Sequence, residues 1–193
     1  MIAIPTLILA LVCLMRGKQH GWWFPLGLTL SALGDFAGWQ GMFQLQMGAF
    51  ALALASYIAD FAPYSKLTTA RVRPLVVAFV AFCTALGFLV VEIPSTIQAA
   101  TIGLYAVVLL SMLAATIVQH RPHWGWYVAA AVLFVISDGL IGYNRFVEPI
   151  PAIDWWCLPP YYAAQVIFAV TYLTQKKGEA VWASPFSVKM AEP

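Results

Sequence analysis

The chain has 193 residues, 62% of them hydrophobic and only 9% charged, with a formal net charge of +2 and a mean hydropathy of +0.83. Soluble domains average about 45 to 50% apolar and about 25% charged residues, so this composition excludes a soluble globular protein and indicates an all-α, polytopic transmembrane bundle set in a lipid bilayer. Its basic residues are scattered and form no face or run that would suit nucleic acid.

A membrane-spanning helix needs about 20 mostly apolar residues, with a working range of roughly 17 to 25. Seven segments meet or approach this: residues 2–15, 22–40, 42–61, 74–91, 95–119, 124–143 and 157–175. The first is short. It has no basic leader and no small-residue cleavage site, so it is expected to be a retained span and not a signal peptide. The second carries Asp35 within Leu30-Ser-Ala-Leu-Gly-Asp35, and the sixth carries Asp138 within Leu133-Phe-Val-Ile-Ser-Asp138. No other helix interior is expected to hold an ionisable side chain. An Asp near the middle of a span costs roughly 2.5 to 3.5 kcal/mol on insertion scales, so a chain that keeps one pairs it, protonates it or uses it. Cys13, Cys83 and Cys157 are odd in number and far apart, as packing residues are and a disulfide framework is not. Residues 1–177 read as one transmembrane domain, and 178–193, too short and broken to span, as a C-terminal tail.

Charge placement fits seven spans. Arg16, Lys18, Lys66, Arg71, Arg73, Arg121, Lys176, Lys177 and Lys189 then fall on one side and only Arg145 on the other, which sets the N-terminus outside and the tail in the cytoplasm of a bacterial inner membrane. Trp22, Trp23, Trp124 and Trp126 mark the inner boundary, and Trp39, Trp155 and Trp156 the outer one. Asp35 lies 13 residues beyond Trp22 and Asp138 lies 14 beyond Trp124, so both sit about 20 Å up their helices and level with each other. The seventh segment brings Tyr161, Tyr162 and Gln165 into the same half, with Gln40, Gln44 and Asn144 near its mouth. The expectation is a polar pocket between the second, sixth and seventh helices, roofed by the proline-rich loop 148–156. Ser31 and Gly34 beside Asp35, and Ser137 and Gly139 beside Asp138, are small residues that let helices approach closely in lipid.

These motifs, with Gly48-Ala-Phe, Tyr57 and Pro160-Tyr-Tyr-Ala-Ala-Gln165, run in an order and spacing that resembles the YhhN/TMEM86 family of integral-membrane lysoplasmalogenases from about residue 26 to 175. Two features depart from the family. Its members usually have eight spans where this chain reads as seven, and many carry a histidine where this chain has Leu54, so any role of that histidine does not transfer. The resemblance implies hydrolysis of the vinyl-ether bond of a lysoplasmalogen to a fatty aldehyde and glycerophosphoethanolamine or glycerophosphocholine.

Two carboxyl groups suit that chemistry. An acid protonates the β-carbon of the vinyl ether, water captures the oxocarbenium ion, and the hemiacetal collapses. Neighbouring carboxylates in a dry site do not both ionise easily, so one serves as acid and the other as base, as in glycosidases. Asp35 and Asp138 are therefore the candidate catalytic pair. Tyr161, Tyr162, Gln165, Ser31, Ser137, Asn144 and Tyr57 are the candidate substrate-binding residues. No cofactor is expected, and no metal either, because His20, His120 and His123 all fall in loops on the opposite side from the acids. Serine nucleophile chemistry lacks a histidine at membrane depth to activate Ser31 or Ser137. Two other classes stay open: a proton-coupled carrier, which also uses paired intramembrane acids, and a non-catalytic lipid-binding protein. The residues do not specify the oligomeric state.

Overall fold

The computed structural model describes residues 2–16, 21–91, 93 and 95–175, and among these it contains seven α-helices and no strand. They are α1 (Ala3–Arg16), α2 (Trp23–Trp39), α3 (Phe43–Phe61), α4 (Thr69–Val91), α5 (Thr96–Val118), α6 (Trp124–Phe146) and α7 (Asp154–Leu173), with a 3-10 turn, Ala62–Tyr64, after α3. The tail expected at 178–193 lies outside the described residues, as do His20, Lys18, Lys176, Lys177 and Lys189.

The architecture is a helical membrane bundle. Four helical segments, α3 with its 3-10 turn, α4, α5 and α6, are each long and apolar enough to cross a bilayer, whereas α1 and α2 have 14 and 17 residues. Helix starts depart most from expectation at proline. Taking Pro74 and Cys157 as starts proves too late, since α4 begins at Thr69 and α7 at Asp154, with Pro74, Pro159 and Pro160 inside them. Each proline removes one backbone bond, and in apolar surroundings helical pairing is how the remaining backbone groups are satisfied.

Helix α2 packs on α1 and α3, α6 on α7, and α5 bridges α3, α4 and α6. The core between them is aromatic: Phe24 stacks on Tyr172 with centroids 4.6 Å apart, and Tyr57, Phe61 and Tyr127 surround Phe168. Gly27 admits this cluster to α2, because a Cβ there would lie 2.4 Å from the Tyr57 ring. Helix α4 packs on α5 through the partly buried Leu75, Ala78 and Phe82 and has no fully buried residue.

Two charged residues are buried near helix ends. Asp60, next to last in α3, is buried. Arg121, in the loop between α5 and α6 as expected, is buried against it, with its Nη1 donating to Asp60 Oδ2 at 2.6 Å and its Nη2 to the Asp60 carbonyl. The guanidinium also lies 3.8 Å from the Tyr64 ring centroid. The carboxylate and the carbonyl engage both terminal nitrogens of this planar cation, and its Nε is buried with no hydrogen-bond partner among the described residues.

Candidate functional site

Asp35 and Asp138 face the same cavity, of about 170 Å³, from α2 and α6. Asp35 is buried and accepts a 2.7 Å hydrogen bond from Thr6 Oγ1 on α1. The geometry of α1 explains why Thr6 is free to do so. In a helix a threonine hydroxyl commonly bonds the carbonyl four residues back. Here that carbonyl, on Ile2, accepts a 2.6 Å bond from the Tyr162 hydroxyl. Asp138 accepts a hydrogen bond from the Tyr105 hydroxyl on α5.

The pocket is broader than the expected three-helix one, since Ile2 of the α1 end and Gln46 and Phe50 of α3 also line it. Ile153 and Asp154 bring the loop before α7 to its edge, beside Trp39 and Asn144. Gln46, and neither Gln40 nor Gln44, is the glutamine on its wall. Gly38 makes this possible, because a Cβ there would sit 2.5 Å from Gln46 Nε2. Besides the two aspartates the lining includes a third acid, Asp154, and among the described residues no Lys, Arg or His.

The remaining candidates separate into four groups. Tyr161 lines the cavity, and its hydroxyl accepts a 3.1 Å bond from Gln165 Nε2. Gln165, Tyr57 and Ser31 do not reach the lining. Gln165 Oε1 accepts from Tyr57 at 3.0 Å and Tyr57 pairs with Ser31 at 3.3 Å, so the three form a buried chain behind Tyr161. Ser137 and Asn144 line the cavity but are bonded elsewhere, Ser137 donating to the Cys157 carbonyl at 2.9 Å and Asn144 Oδ1 accepting from Ile150 N at 2.7 Å. Tyr162 is turned away toward α1.

Thr6, Tyr105, Gln46 and Asp154 were not anticipated. Thr6 had a signal, being the only hydroxyl in the first apolar segment. Tyr105 had one too. Short hydroxyls on α5 return to their own helix, Thr101 to Ile97, Ser111 to Val107 and Thr116 to Leu113. A tyrosine is too long to do this and must find a partner on another element.

A second cavity, of about 920 Å³, lies between α3, α4, α5 and α6, and Gln46, Phe50, Asp138 and Ile141 line both it and the smaller one. The arrangement can offer a proton or a base to a bond lying between an apolar and a polar compartment.

Comparison with known proteins gives a consistent assignment. A lysoplasmalogenase of Mycobacterium tuberculosis is 29% identical over 167 residues, covering 81% of this chain and 62% of that protein. Lysoplasmalogenase TMEM86B of Rattus norvegicus is 29% identical over 171 residues, covering 88% of this chain and 70% of its own length. The human TMEM86B is 28% identical over 147 residues, covering 76% and 61%. The chain thus spans 62% of the length of its mycobacterial relative. No solved structure matches it. The profile of the YhhN family matches residues 1–172, nearly the whole chain, and the chain belongs to that family.

Proposed function

We propose that the protein is a membrane hydrolase that cleaves the vinyl-ether bond of a lysoplasmalogen, releasing a fatty aldehyde and the glycerophospho-alcohol. One observation carries the reading: Asp35 on α2 and Asp138 on α6 line a single small cavity that adjoins an apolar one. The names of the mycobacterial and mammalian relatives support it. One carboxyl delivers a proton to the β-carbon of the double bond, and an ether-oxygen lone pair stabilises the resulting cation. The other carboxylate takes a proton from the water that adds to the α-carbon. The hemiacetal then breaks its bond to the glycerol oxygen, which leaves protonated. General acid and base groups each contribute typically 10²–10⁴-fold to such steps. With Asp154 and, among the described residues, no basic side chain on its wall, the cavity suits an ammonium-bearing headgroup better than a buried phosphate.

The purified protein in detergent, without any gradient, should release aldehyde from a lysoplasmalogen and none from the saturated ether analogue, which has no β-carbon to protonate. In bacterial cells the activity should partition with inner-membrane vesicles. Inactivity on both lipids together with proton-coupled flux in liposomes would instead support a carrier.

A further inference from the structure

The larger cavity is a chamber built beside one of the two acids. Its wall is almost entirely aliphatic and aromatic, and two of its polar side chains, Gln46 and Tyr105, accompany Asp138. At about 920 Å³ it falls near the top of the roughly 300–1,000 Å³ range of small-molecule sites. Along α6 it extends from Val132 to Phe146, about 21 Å of helix, with Asp138 partway along. Helix α4 buries no side chain of its own and borders this space instead of filling it. Gly139, next to the acid, would meet nothing within 4 Å if it carried a Cβ.

Resting on the hydrolase reading, we propose that this chamber holds the alkenyl chain of the lysoplasmalogen while the smaller cavity receives the glycerol end, so that the vinyl ether crosses at Asp138. The shared wall argues for this occupant, because a single-chain lipid has one apolar and one polar part joined at the bond to be broken, and the two cavities meet at Asp138. The placement assigns the roles. The β-carbon is on the chain side of the double bond and faces Asp138, which borders both cavities. The α-carbon is on the glycerol side and faces Asp35, which lines only the polar cavity. Asp138 therefore gives its proton to the β-carbon as the double-bond pair becomes the new C–H bond. Asp35 takes the proton of the water whose oxygen bonds the α-carbon.

The test uses the full chain in phosphatidylcholine nanodiscs and a saturated alkyl-ether lysophosphoethanolamine with a diazirine at the chain terminus. Photolabel that excess unlabelled lysolipid removes is expected in residues 78–82 of α4 and 109–113 of α5. Competed label confined to α1, α2 or α7, or no competed label, overturns the chamber. In a chain-length series, Ala78→Phe should lower kcat/KM for long relative to short alkenyl chains by about tenfold or more, and Val170→Leu on the exposed face of α7 should change nothing. If Ala78→Phe does not fold, Ala85→Leu on the same wall gives the same reading, and an unchanged chain profile in folded protein overturns the proposal. The probe is not cleavable, so competed label in the chamber without aldehyde release sinks the hydrolase reading alone. Aldehyde release with label elsewhere sinks the chamber alone.

Discussion

At the scale of single residues, the two aspartates differ in what holds them. Asp35 is fixed by Thr6 from α1, and Asp138 by Tyr105 from α5. Both were legible in the sequence because a carboxyl within an apolar run is costly and so conspicuous. Their hydroxyl partners left a fainter signal, a lone hydroxyl in an apolar run and a tyrosine too long to bond its own helix, and which acid each one meets depends on which helix arrives beside it. Asp35→Asn and Asp138→Asn keep side-chain shape but remove the acid, so each should lower turnover about 10²-fold or more in folded protein. Added formate, a small base, should restore part of the rate to Asp35→Asn and none to Asp138→Asn. Rescue of the Asp138 variant alone would reverse the roles, and near-normal turnover in either folded variant would end the paired-acid mechanism.

At the scale of elements, the apolar runs locate the helices but place two starts too late: α4 runs through Pro74 from Thr69, and α7 begins at Asp154, three residues before Cys157. The Asp60–Arg121 pair was hidden for a different reason. Both residues sit near helix ends, where a charge ordinarily meets water, and only the folded arrangement closes α3, its 3-10 turn and the α5–α6 loop over them. This pair ties the end of α3 to the start of α6 through Arg121, and breaking a buried pair from one side leaves an uncompensated charge. Arg121→Met should therefore lower stability in detergent by about 3–5 kcal/mol, read as thermal unfolding, and the Asp60→Asn, Arg121→Met double variant should recover much of the loss. If the single variant unfolds like the parent, the pair is dispensable.

At the scale of the whole molecule, composition alone indicated a helical membrane bundle, and both acids line one cavity. The apolar chamber was invisible beforehand, because a lining of Ala, Leu and Phe reads the same as a packed core until α4 is seen to leave space beside α6. The decisive step is delivery of a proton to the β-carbon of a vinyl ether held between the two compartments. Hydrolysis of a lysoplasmalogen by the purified protein in D₂O, with the aldehyde reduced as it forms, reports on that step. One deuterium is expected at C2 of the recovered alcohol, and release of the glycerophospho-alcohol with no deuterium at C2 would rule out proton delivery to that carbon.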